Sequence, residues 1–230
     1  MQQADNIIAQ LKEIDTKFQA IYEDAVADGI VNPDLYFATY PKILWILKEV
    51  NDPDGGDWDM KDAINDLKDP RRGIRKGWGK TFNKIIYTTN GILNEQTYKQ
   101  IDDIPDDPDL VDILKKIAFI NLKKTPGGAT AYKPAVEDFY ERHKDLILEQ
   151  IKLINPDIII GGNTFEFMGN DFEKIHPLGE KQILPLIHTY TTPQRLIIDA
   201  YHPNAPINAQ DYCDSIINAV SEWRVARKSE

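Results

Sequence analysis

Apolar residues at Ile7, Ile8, Leu11, Ile14, Phe18, Ile21 and Tyr22 recur at helical spacing, which predicts an amphipathic helix over residues 5–28. The pattern then changes. Residues 42–50, around Ile43-Leu44-Trp45-Ile46-Leu47, form a continuous apolar run, the mark of a strand buried on both faces. Three similar runs follow: Ile117-Ala118-Phe119-Ile120-Asn121-Leu122, Asp157-Ile158-Ile159-Ile160 and Leu196-Ile197-Ile198-Asp199-Ala200-Tyr201. Between them, helical spacing predicts helices over 77–91, 108–116, 134–154, 163–169 and 207–226, with a short one at 59–67. Residues 182–189 suit one extra edge strand.

Helices alternating with short buried strands predict an α/β fold, with a four-stranded, mainly parallel sheet between two helical layers. No repeat, low-complexity tract or composition break divides the chain. Residues 1–230 therefore read as one domain, with the N-terminal helix packed on it.

Composition narrows the function classes. Apolar content of 42% and charged content of 28% suit an ordinary globular protein with one sizeable core. The single cysteine, Cys213, excludes an intramolecular disulfide and a cysteine-held zinc or iron–sulfur site within one chain. His143, His176 and His188 lack ligand spacing, and the acidic run Asp52, Asp54, Asp57, Asp59 departs from the calcium-loop pattern, so no metal is expected. Gly161-Gly162-Asn163 could cradle a phosphate but lacks the full dinucleotide fingerprint, so no cofactor is expected either. The polar start and the absence of a membrane-length apolar run predict a cytoplasmic protein, taken as a monomer.

The net charge is −10, which argues against tight non-specific nucleic-acid binding. Charge is uneven, however. Asp52 to Asp69 holds seven Asp, and directly afterwards come Arg71, Arg72, Arg75, Lys76, Lys80 and Lys84 with no acid among them. That segment is either a phosphate-contacting patch or a solvated helix face.

The candidate chemistry sits where the apolar runs stop. Open α/β sheets bind ligands at the carboxyl ends of their strands. Glu49-Val50-Asn51-Asp52-Pro53 follows the first run, Asn121-Leu122-Lys123-Lys124-Thr125-Pro126-Gly127-Gly128 the second, Gly161-Gly162-Asn163-Thr164 the third and His202-Pro203-Asn204-Ala205-Pro206 the fourth. Taken singly, Asn51 also suits turn chemistry, Asn121 a strand cap and His202 an ordinary loop.

These four segments, in this order and each at a strand end, resemble the motifs of the uracil-DNA glycosylase superfamily across roughly residues 40–225. The likeness is nearest to the mismatch-specific and single-strand-selective branches. It implies a three-layer α/β/α domain that hydrolyses the N-glycosidic bond of uracil or a related damaged base in DNA. In that reading His202 donates to a carbonyl oxygen of the departing base, where negative charge builds. Asn51 holds the attacking water, and Asn121 matches a pyrimidine edge with its paired donor and acceptor. Ile74 stands where the family stacks the base, with Trp78 and Trp58 nearby as the aromatic candidates. Ile207 is the nearest wedge to fill the gap left by a flipped nucleotide. Arg71, Arg72, Arg75, Lys76 and Lys80 contact DNA phosphates.

The chain departs from the family pattern in the first motif. Glu49 stands where a Gly is usual and Asp52 where a Pro is usual. A slipped register would make Glu49, rather than Asn51, the group that handles water. The alternative function is a protein of this fold that lacks glycosylase activity and binds a nucleotide or a protein partner.

Overall fold

The computed structural model describes residues 2–52, 55–174 and 177–228. The chain opens with helix α1 (Gln2–Ile21), strand β1 (Gly29–Ile30), helix α2 (Pro33–Ala38) and strand β2 (Ile43–Leu47). Helix α3 (Met60–Asn65) leads into a small hairpin, β3 (Lys68–Asp69) and β4 (Gly73–Ile74), before helix α4 (Gly79–Asn94). A 3-10 segment over 108–116 precedes β5 (Ala118–Asn121), and helix α5 (Lys133–Ile154) connects it to β6 (Ile158–Gly162). The short helix α6 (Phe165–Met168), a hairpin of β7 (Glu180–Ile183) and β8 (Ile187–Thr191), strand β9 (Leu196–Ala200) and helix α7 (Ala209–Lys228) follow.

Among the described residues one sheet has seven strands in the order β1-β5-β2-β6-β9-β8-β7. Its centre, β5-β2-β6-β9, is parallel, and β1, β8 and β7 are antiparallel to their neighbours. Every residue of β2, β5 and β6 is buried, as their unbroken apolar runs require. Alternate side chains serve two cores. Ile43, Trp45, Phe119, Ile158, Ile160, Leu196 and Ile198 pack with α4 and α7 on one face. Leu44, Ile46, Ala118, Ile120, Ile159 and Ile197 pack with α1 and α5 on the other. The result is three layers, helix on sheet on helix.

Several elements differ from expectation. The four-stranded sheet is the parallel centre of a wider one. Residues 182–189 are not one edge strand but parts of two, joined by a tight turn in which Leu184 N–H bonds Ile187 O at 2.9 Å. Helix α1 stops at Ile21, short of 28, because Ala25, Val26 and Ala27 bury themselves as an extended strap. Val26 N–H bonds Lys124 O at 2.8 Å, so this strap follows the end of β5. The helix expected over 108–116 is 3-10. The basic stretch begins as a hairpin, turned by Asp69-Pro70-Arg71-Arg72 with Arg72 N–H bonded to Asp69 O at 3.2 Å. Pro at the second and Asp at the first position are the residues such a turn favours. Pro53 and Asp54 of the first motif, and His176, lie outside the described residues.

Candidate functional site

In the parallel centre, β2 lies between β5 and β6: the crossover through α4 leads from β2 out to β5 on one face, and the crossover through α5 leads from β5 back past β2 to β6 on the other. Chain direction across the sheet therefore reverses at β2, the place where open α/β sheets form a crevice at their carboxyl edge. Four strand ends meet along that edge. Leu47 pairs with Asn121, Gly161 with Asp199 and Gly162 with Ala200. A Cβ on Gly162 would press on Leu47 Cδ2 and lie 3.1 Å from Pro203 Cδ, so the backbone after β9 crosses close over β6. Only glycine permits that approach.

Strand alternation puts Asn121 on the same sheet face as Phe119, toward α4 and α7. The residue is 3% exposed, and among the described residues its Nδ2 has no hydrogen-bond partner. A buried amide N–H2 without an acceptor is costly, on the order of 1–3 kcal/mol, and such groups in native proteins call for an explanation. Behind the sheet, Asp28 fixes its backbone: Asn121 N–H donates to Asp28 Oδ2 at 2.8 Å. The other Asp28 oxygen takes Lys124 Nζ at 2.6 Å and Gln150 Nε2 at 3.0 Å. Asp28, Lys124 and Gln150 are all buried. The carboxyl end of β5 is thus anchored by a closed polar network that no local sequence pattern signals.

The ladder between β2 and β5 continues past the strands. Leu122 N–H reaches Leu47 O at 2.9 Å, and Lys123 N–H reaches Lys48 O at 2.8 Å. Gly127 N–H then bonds Val50 O at 2.8 Å, and Asp52 N–H bonds Gly127 O at 3.0 Å. The first and second motifs are therefore stitched together, with Asn51 bridged to Gly127. Within this stitch Glu49 and Asn51 differ. Glu49 Oε2 is 2.7 Å from Lys123 Nζ, and its side chain is only 5% exposed. Asn51 is exposed, and its side chain makes no hydrogen bond among the described residues. Asp52 accepts the Trp58 indole N–H at 2.9 Å.

His202 is half-buried at the far end of the edge. Its Nδ1 accepts Asn204 N–H at 3.1 Å, which leaves Nε2 as the protonated nitrogen and a donor. Burial, with the positive charges of Lys48 and Lys84, holds its pKa down at about 4, so the ring is neutral at physiological pH. Its loop is held from outside. Lys84 Nζ donates to Ala205 O at 2.8 Å and Tyr212 Oη to Tyr201 O at 2.9 Å.

The remaining nominated residues fall into two groups. Trp78 stacks in a run of rings that ends beside Asn121: Trp58–Trp78, Trp78–Phe82 and Phe82–Phe119 centroids are 6.2, 5.3 and 5.4 Å apart. Ile74 and Ile207 are half-buried against the same core, and the exposed apolar side chain beside His202 is instead Tyr201. Arg71, Arg72, Lys76 and Lys80 are exposed, and among the described residues their side chains form no ion pair. Arg75 differs, because it pairs with Asp66. Two concavities of about 460 Å³ lie elsewhere, one beside the 3-10 segment 108–116 and one between α7 and the loop 184–186, and no nominated residue lines either.

Residue types and spacing singled out Asn121 and His202, since each follows an apolar run. Lys84, Lys123, Tyr212 and Asp28 were not singled out for the site, because their partners lie far along the chain. No protein-family model matches the chain, and no curated protein matches it. No helix among the described residues is long and apolar enough to cross a membrane.

Proposed function

We propose that this chain is a DNA glycosylase that hydrolyses the N-glycosidic bond of uracil or a related base. The observation that carries the reading is the pairing of donors at one strand edge. His202 offers a neutral Nε2–H just past the end of β9, and Asn121 offers a buried Nδ2 without a partner among the described residues at the end of β5. β5 and β9 are three strand spacings apart, about 14 Å, with β2 and β6 between them.

The chemistry follows from the residue types. Breaking the bond leaves positive charge on the sugar and negative charge on the base. A neutral His202 donates from Nε2 to a base oxygen and strengthens that bond as the oxygen becomes anionic. It needs no proton removed first, because Nδ1 already accepts a backbone N–H. Lys48 and Lys84 add positive potential on the same side. Asn121 reads the pyrimidine edge. Its empty Nδ2 supplies one bond that the substrate oxygen completes.

Water belongs to Asn51 rather than Glu49. Glu49 is committed to Lys123 and lies against Gly127, where a Cβ would collide with Oε1. Asn51 is exposed, and its side chain has no hydrogen-bond partner among the described residues. An amide carbonyl orients water but is a weak base, so the mechanism is one in which the bond breaks early and water follows.

A second reading, a protein of this fold that binds a nucleotide or a protein without cleaving it, is favoured by the net charge of −10. Base release from single- and double-stranded DNA containing uracil decides between them. Release from either supports the glycosylase. No release, with no detectable DNA binding even at low salt, supports the second reading.

A further inference from the structure

We propose that Lys84 and Tyr212 form a clamp that positions the loop Tyr201–Ala205, fixing the His202 imidazole with Nδ1 inward and Nε2–H toward the carboxyl edge. This deepens the reading of His202 as a donor and rests on it. Lys84 is a positioning residue here, because it acts through His202.

Three observations carry it. First, the loop is tied at both ends to helices of one layer. Tyr201 O accepts from Tyr212 Oη of α7 at 2.9 Å, and Ala205 O accepts from Lys84 Nζ of α4 at 2.8 Å. Second, the two tying groups hold each other. Lys84 Nζ stands 5.0 Å from the centre of the Tyr212 ring, close enough for cation–π attraction. The backbone beneath is joined as well, since Cys213 Sγ donates to Lys84 O at 3.7 Å. Third, the loop between the ties is closed on itself. Ala205 N–H bonds His202 O at 2.8 Å, and Asn204 N–H bonds His202 Nδ1 at 3.1 Å. If Ala205 moves, the turn that sets the imidazole tautomer moves with it.

The ionisable groups around the ring come from three elements. Lys48 follows β2, Lys84 lies on α4, and Tyr212 and Cys213 lie on α7. Burial keeps the Tyr212 hydroxyl and the Cys213 thiol protonated, the latter at about 11. Among the described residues the charge that reaches His202 comes from these two lysines, and both disfavour the imidazolium. Desolvation also lowers the pKa of Lys84 itself, and its remaining bonds to Ala205 O and the Tyr212 ring hold it in place.

The test is a nitrogen-15 NMR titration of the His202 ring in the full chain, comparing the parent with Lys84→Met, Lys84→Arg and Tyr212→Phe. The parent shows the Nε2–H tautomer and a midpoint near 4. Lys84→Met raises the midpoint by about one pH unit or more and mixes the tautomers, as a loosened, more hydrated ring with one less neighbouring cation requires. Lys84→Arg restores at least half of the shift. Tyr212→Phe removes one tie without touching charge. It mixes the tautomers with a smaller midpoint change, and it serves alone if Lys84→Met does not fold. Tautomer and midpoint unchanged from the parent in the folded variants would overturn the clamp, as would a parent protonated at Nδ1. Base release is measured on the same samples. If the parent releases no base, the glycosylase reading fails, while the clamp is still judged by the ring signals.

Discussion

Lys123 Nζ stands 2.7 Å from Glu49 Oε2, and the same ammonium donates to the carbonyls of Thr125 and Pro126 at 2.9 and 2.8 Å. One lysine thus ties the polar head of the first motif to the turn that closes the second. Removing one partner from a buried pair strands the other charge, at a cost on the order of 3 kcal/mol. Glu49→Gln should therefore lower the urea midpoint clearly, whereas Asn51→Ala should barely change it. Activity should show the reverse: base release per folded molecule drops more for Asn51→Ala than for Glu49→Gln. The opposite ranking would transfer the water to Glu49.

Gly127 and Gly162 make the same point through backbone space. A Cβ on Gly127 collides with Glu49 Oε1, and one on Gly162 collides with Leu47 Cδ2 and crowds Pro203. Overpacking of this kind costs about 1–3 kcal/mol. Gly162→Ala should also displace the His202 loop, so its base release should fall further than its loss of thermal stability explains. Activity that tracks stability alone would separate β6 from the site.

The buried trio Asp28, Lys124 and Gln150 underlies Asn121. Lys124→Met leaves the Asp28 carboxylate without its cation in a sealed position, a loss on the order of 3–5 kcal/mol. Chemical denaturation should show it. Adding Asp28→Asn to Lys124→Met should recover part of the loss, because the stranded charge is then gone. Full additivity of the two single effects would contradict the coupling.

The parallel centre of the sheet is legible in the sequence, because β2, β5, β6 and β9 each carry at least three consecutive apolar residues and are followed by turn residues. The margins are not. β1, β3 and β4 have two residues each, too short to show a period. Strand β7 is exposed throughout and has no apolar signature. The end of α1 is not legible, because Ala25, Val26 and Ala27 are as apolar as a helix face, though they pack as extended chain. Asn121 and His202 could be found because each follows an apolar run. Lys84 could not, because its bond to Ala205 spans 121 residues and its sequence neighbours point to a basic surface patch.

Ion pairing divides that patch. Arg75 pairs with Asp66, whereas Arg71 and Arg72 lie exposed at the hairpin turn and form no ion pair among the described residues. On duplex DNA each neutralised phosphate contributes about −0.9 to the slope of log affinity against log salt. The Arg71→Ala, Arg72→Ala double variant should therefore flatten the slope more than Arg75→Ala, with affinity for all sequences reduced alike. Equal slopes for all three proteins would remove the hairpin from the interface.

His202 couples stability to pH. Its pKa is about 4 in the folded chain against an ordinary value near 6.5. Between those values the unfolded state binds the proton and the folded state does not. Its contribution is thus fully present above pH 6.5 and lost as pH falls toward 4. Thermal melts of His202→Gln should show a shallower loss of stability across that window than the parent.

Base release from uracil-containing DNA, single- and double-stranded, by the parent and by His202→Ala tests the central claim most directly. Loss of one preorganised donor to a developing anion lowers turnover by on the order of 10²-fold or more. The account predicts release by the parent, that drop in the variant, and an unchanged melting profile near neutral pH. No release by the parent from either substrate, or equal release by both proteins, would contradict it.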